Sequence, residues 1–194
     1  SMYTAGMDAR DRLIEAAQEL LWERGYTAMS PKDIQALAQA GQGSMYHHFK
    51  GKQDLAALAL QRSAEQMRRD AQELLNGEGT ALERLEAYLR SQRDGLRGCR
   101  MGRMTYDADV LDTPELLQPV SDALSWLVEV IAQVVAQGID REEFPRSTDP
   151  AAVASSVAAV VQGGYVLARA QQDRAAFDAA INGAVSTLRG WACR

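Results

Sequence analysis

Apolar positions recur at helical spacing along most of the chain. Leu13, Ile14, Ala17, Leu20 and Leu21 make one stripe, and Gly25 follows as a C-cap, which predicts a first helix from about Asp8 to Arg24. Ser30 before Pro31 pairs a capping residue with the proline that suits a first helical position. A short second helix is expected there, with Ile34, Leu37 and Ala38 inward, ending at the Gln39-Ala40-Gly41 turn. A third short helix holds Gln42 to Phe49, with Met45 and Phe49 as core positions. Lys50-Gly51 then leads into a long fourth helix with a stripe at Leu60, Ala64, Met67, Ala71 and Leu74, which Asn76-Gly77-Glu78-Gly79 ends.

The pattern continues in longer pieces. Thr80 caps a helix with Leu82, Leu85, Leu89 and Leu96 in phase, and Gly95, Gly98 and Gly102 then loosen the chain. Thr113-Pro114 and Asp149-Pro150 each open a helix. The first of these carries Leu117, Val120, Leu124, Leu127, Ile131 and Val134 up to Gly138, and a last helix carries Phe177, Ile181, Val185 and Leu188. No alternating strand pattern competes, so the chain is expected to be all-α with about nine helices.

Composition agrees. Apolar residues make up 46% of 194 positions and aromatics only 6%, which favours helices with a real core over strands or disorder. The stretch Ala151 to Ala170 carries one charge, Arg169, but Ser155, Ser156, Gln162, Gly163 and Gly164 give too little transfer energy for a membrane span. No membrane partner is expected. Nor does a charged leader with a Leu-rich stretch open the sequence. Ser1 ahead of Met2 is given no structural weight, and a cytoplasmic location is the default. Cys99 and Cys193 have no metal-ligand spacing and read as ordinary thiols.

Helix, short helix, tight turn and short helix within some forty residues is the layout of a helix-turn-helix, whose second short helix enters the major groove. The residues carry more than the layout. Arg24-Gly25-Tyr26, Ser30-Pro31-Lys32-Asp33-Ile34, Gly43-Ser44-Met45-Tyr46-His47-His48-Phe49 and Lys52 together resemble the N-terminal domain of the TetR (tetracycline-repressor) family. The resemblance covers about residues 8–60. It implies an N-terminal DNA-binding domain, placed at residues 1–52, and a larger helical effector-binding and dimerisation domain over residues 53–194. Gln39 stands where the family usually has Gly, and Gly41 where it usually has a capping Ser or Thr.

The net charge of −5 disfavours a nucleic-acid partner at first sight, yet placed cations and helix N-termini can hold phosphate on a neutral surface. The DNA-binding set is Ser30, Lys32, Gln42, Gly43, Ser44, Tyr46, His47 and Lys52. Gly43 and Ser44 let the backbone come close, and Gln42 suits the paired donor and acceptor of adenine. Tyr46 and His47 can donate to phosphate or contact bases, Lys52 can meet the phosphate backbone, and Ser30 and Lys32 lie at the start of the second helix, where phosphate is favoured. His47 and His48 are adjacent on a helix and do not converge on one metal ion.

With two histidines, both in the DNA helix, and neither a Gly-x-Ser-x-Gly nor a His-Glu-x-x-His pattern, no enzyme and no cofactor are expected. In the second domain Tyr88, Met101, Met104, Tyr106, Trp126 and Tyr165 are candidates to line an apolar or aromatic effector site. The last two helices, apolar or small on nearly every face, are assigned to dimerisation through Val157, Ala158, Val161, Gly164, Ile181, Val185 and Leu188. The expected protein is a ligand-responsive repressor that binds a near-palindromic operator as a homodimer. The rival is a helical partner-binding or enzymatic protein with a degenerate helix-turn-helix.

Overall fold

The structure is a computed structural model that describes residues 8–192. Ser1, Met2 and Cys193, remarked on above, lie outside that range. Among the described residues there are ten helices and no strand. In chain order they are α1 (Ala9–Arg24), α2 (Pro31–Ala38), α3 (Gln42–His48), α4 (Lys52–Leu75), α5 (Ala81–Arg90), α6 (Arg100–Met104), α7 (Ala108–Leu111), α8 (Pro114–Asp140), α9 (Pro150–Gln171) and α10 (Arg174–Trp191).

The caps fall where local chemistry puts them. The Asp8 carboxylate accepts from the Asp11 N–H at 2.8 Å, and Gly25 ends α1 at φ 85°, a backbone region that costs glycine little. Ser30 and Asp33 form a reciprocal capping box on α2, as Thr80 and Glu83 do on α5. Asp149 and Asp173 cap α9 and α10. Gln39 takes the left-handed conformation at φ 50°, ψ 46°, in the turn where the family usually has glycine.

Two compact units divide the chain. The first ends at Gln66 and resumes for Arg100–Asp122; the second takes Met67–Cys99 and everything from Ala123 onward. The first unit therefore includes α6 and α7 besides α1 to α3, and α4 and α8 contribute residues to both units. Leu13, Leu20, Ile34, Met45, Phe49 and Leu55 are among its buried side chains. In the second unit Leu85, Leu127, Ile131, Val134, Val157 and Ile181 share one core. Pro114–Asp140 and Pro150–Gln171 are long and apolar enough to cross a bilayer by length and composition, and here Leu127, Ile131 and Val134 of α8 and Val157 and Val161 of α9 are part of that core.

Three sequence expectations are corrected. Leu37 is exposed, because the eight-residue α2 buries only Ile34 and Ala38. The fifth helix stops at Arg90, so Leu96 lies on an exposed turn and not on the Leu85–Leu89 stripe. The Arg93 guanidinium ends that helix by donating to the Tyr88 and Leu89 carbonyls at 2.6 and 2.9 Å, which satisfies acceptors the last turn leaves open. The loosened stretch after it contains two short helices, α6 and α7, that hydrophobic periodicity did not show.

Candidate nucleic-acid interface

The positioning of α3 starts from two buried anchors. Met45 and Phe49 are buried, and the Gln35 amide meets the Met45 sulfur at 3.5 Å, tying α3 to α2. The Arg12 guanidinium donates to the Ala38 carbonyl at 3.1 Å, holding the end of α2 against α1. With this face spent on packing, the opposite face of α3 presents Gln42, Gly43, Tyr46, His47 and His48 to solvent, with Ser44 half-buried. Tyr46 is 50% exposed, an unusual outlay for an aromatic ring with no partner surface. A Cβ added at Gly41 or Gly43 would meet nothing within 4 Å, so this end of α3 is open to close approach by a large ligand.

The flanking elements differ in how far their side chains are available. Lys32 is exposed at the start of α2. Ser30 is engaged: its hydroxyl donates to the Asp33 carboxylate at 2.6 Å and accepts from the Asp33 N–H at 3.2 Å. The hydroxyl bond, a second bond donated by the Ser30 N–H to the same carboxylate at 3.1 Å, and Arg24 at 3.8 Å hold the Asp33 carboxyl below its ordinary value. Ser30 therefore builds the α2 terminus, and what that terminus offers a phosphate is chiefly backbone N–H groups. Lys52 is half-buried at the start of α4, its ammonium 4.1 Å from the centre of the Tyr26 ring. His47 and His48 meet edge to face at 4.9 Å between ring centres.

The six residues proposed for an effector site are split between the two units. Met101 and Met104 are buried in the first unit, and Tyr106 is 80% exposed on the turn after α6. Tyr88 and Tyr165 are buried in the second unit, with Trp126 half-buried there. The Arg93 guanidinium lies 4.7 Å from the Tyr88 ring centre, and Tyr165 stacks on Phe177 at 4.7 Å. Burial pushes both tyrosine hydroxyls above their ordinary pKa. Cys99 is half-buried near them.

The dimerisation set is also divided. Val157, Val161, Ile181, Val185 and Leu188 are all buried in the second unit's own core. Ala158 is half-buried. Val157, Gly164 and Leu188, themselves buried, floor an open apolar groove of about 410 Å³ between α9 and α10. Its exposed walls are residues the sequence reading passed over: Gly163, Leu167, Gly183, Thr187 and Trp191. Leu167 is 47% exposed and Trp191 45%. The sequence signal is that α9 is apolar or small on nearly every face, but periodicity cannot separate the side that packs within the chain from the side left over.

Comparison with known proteins agrees with this geometry. The model of bacterial regulatory proteins of the tetR family matches residues 13–59, and that of the tetracyclin repressor-like C-terminal domain matches residues 81–184. The chain is 26% identical over 139 residues to the HTH-type transcriptional repressor NemR of Escherichia coli, covering 68% of this chain and 69% of that protein. It is 26% identical over 176 residues to the HTH-type transcriptional repressor DhaR of Mycobacterium sp., covering 87% and 86%. Among solved structures, a TetR-family regulator from Cytophaga hutchinsonii superposes with a TM-score of 0.84 at 23% identity, over 95% of each chain. The reduced form of E. coli NemR gives 0.82 at 21%, over 96% of this chain and 98% of that one. With both domain models matched in order, the chain belongs to the TetR family and is a ligand-responsive transcriptional regulator.

Proposed function

We propose that the protein is a repressor that binds a near-palindromic operator as a homodimer, one α3 per half-site, and is released by a small apolar or aromatic effector. The observation that carries the reading is α3 itself: seven residues anchored by Met45 and Phe49, with Gln42, Gly43, Tyr46 and His47 unspent on the outside. Gln42 reads a base edge, Gly43 and Ser44 let the backbone come close, and Tyr46, His47, Lys32 and Lys52 hold phosphate. Ser30 contributes by shaping the α2 terminus. The second copy packs on the α9–α10 groove, where Leu167 and Trp191 would leave water. Relatives named as repressors support the negative sign of regulation.

The effector reading rests on the buried aromatic group around Tyr88 and Tyr165 and on α4 and α8, continuous helices that belong to both units. A ligand that shifts the far part of α4 changes the spacing of the two recognition helices, and a coupling of roughly 1–3 kcal/mol suffices for a switch. No enzymatic step is assigned, and a cytoplasmic location follows from the DNA partner. The test is a mobility shift with the intergenic DNA upstream of the gene across a salt series. A complex that weakens steeply with salt supports the reading, and no shift at any salt overturns it.

A further inference from the structure

The connection between α6 and α7 reaches the turn after α1. The Thr27 N–H donates to Asp107 Oδ2 at 3.0 Å, and the Thr27 hydroxyl lies 2.8 Å from Asp107 Oδ1 and 2.9 Å from Asp109 Oδ2. Gly25 makes room: a Cβ there would stand 2.9 Å from Asp107 Oδ2. Burial raises the Asp107 pKa, but bonds from Thr27 and from the Tyr26 and Val110 N–H groups more than offset this, so Asp107 holds its negative charge with Asp109 beside it. Next to it is the Tyr26 ring, and on that ring sits Lys52. Burial holds the Lys52 pKa below its ordinary value, and Asp109 and then Asp107 offset only part of that. The Tyr26 hydroxyl, raised first by burial, is raised further by the same two carboxylates.

Two acidic groups at this position are unexpected on a surface meant for phosphate. At position 109 a neutral acceptor would satisfy the Thr27 hydroxyl equally well, whereas a carboxylate near a DNA-binding lysine offsets its charge. We propose that Asp107 and Asp109 act as an intramolecular counter-ion for Lys52 that competes with DNA phosphate, so the α6–α7 connection sets how much of the Lys52 charge is offered to DNA. The inference rests on reading Lys52 as a phosphate contact, and it adds an electrostatic brake to that contact. Because Asp107 and Asp109 arrive from a segment far along the chain, a change in that segment alters DNA affinity without touching α3.

The experiment measures binding of the full-length protein to a fluorescein-labelled random-sequence duplex by anisotropy, at low and high salt. Asp109→Asn keeps an acceptor for Thr27 and removes the charge; Asp109→Glu keeps the charge. At low salt Asp109→Asn is expected to bind roughly three- to tenfold more tightly than the parent, with the gap closing as salt screens it. Asp109→Glu is expected to bind as the parent does, and Asp109→Asn is expected to add nothing in a Lys52→Gln background. If Lys52→Gln weakens binding but Asp109→Asn does not tighten it, the brake is overturned while the phosphate contact stands. Equal tightening in both backgrounds also overturns it, because the charge then acts on DNA directly, as does a gain shared by Asp109→Glu. If Lys52→Gln binds as tightly as the parent, the phosphate contact fails and the brake with it. Thermal unfolding of each variant confirms that the fold is intact.

Discussion

Gly138 of α8 lies so close to Ala81 of α5 that a Cβ added at 138 would stand 2.7 Å from the Ala81 Cβ and 2.6 Å from Phe144 Cδ2. Neither contact can be relieved by swinging a flexible side-chain end, because one neighbour is a methyl at the helix start and the other a buried ring. Gly138→Ala gains about 1 kcal/mol of helix propensity and forces an overpacked contact that costs about 1–3 kcal/mol. The expected net is a loss of stability, read as a lower urea midpoint. A variant as stable as the parent would show that α5 and α8 can part without cost.

The capping boxes give stability a defined pH dependence. Hydrogen bonds from the Thr80 N–H and hydroxyl hold the Glu83 carboxyl below its ordinary value, as the Ser30 hydroxyl and N–H do for Asp33. A carboxylate depressed in the folded state stabilises above its unfolded pKa, and that contribution is lost as pH falls through the folded value. The melting-temperature gap between the parent and Glu83→Gln should therefore be fullest near neutral pH and close below the ordinary carboxylate range of about 4. A gap that widens on acidification would contradict the assignment.

Which parts of this were legible in the sequence follows from the range of the forces involved. Asp8, Ser30-Pro31, Thr80 and Asp149-Pro150 mark helix starts because a cap is satisfied within three residues, and all four starts are found in the structure. The α3 face was equally readable, since Met45 and Phe49 fix which side turns inward. By contrast α6 and α7, five and four residues long, depend on distant partners such as Trp22, whose ring lies 4.0 Å from the Arg100 guanidinium, and Thr27. No local pattern announces a helix held that way. Leu37 and Leu96 misled because an apolar residue in phase is not obliged to be covered.

The exposed face of α9 and α10 separates two kinds of substitution. Leu167→Glu and Gly183→Arg place charge in the groove and are expected to yield a folded monomer. Val161→Arg puts a charge into the chain's own core and is expected to give insoluble protein, because an unpaired buried charge has no compensation. Sedimentation velocity with circular dichroism checks both. A dimeric Leu167→Glu variant would remove this groove from the interface.

Contacts to phosphate and to bases should behave differently. Tyr46→Phe and Lys32→Ala are expected to weaken binding to all duplexes, the lysine change also reducing the salt slope by about one contact. Gln42→Ala should leave general affinity nearly intact and cost about 1–3 kcal/mol of discrimination at one base position. Competition titrations against single-base variants of the site measure both quantities. Uniform loss for Gln42→Ala would move that residue from the bases to the backbone.

Selection of binding sites from a random duplex pool, with the parent and Gln42→Ala in parallel, is the sharpest test of α3 as the DNA reader. A two-fold symmetric motif is expected whose half-sites lie about one helical turn apart, with Gln42→Ala losing preference at one pair of symmetry-related positions. An asymmetric motif, no enrichment, or an unchanged motif for Gln42→Ala would contradict a dimer reading DNA through α3.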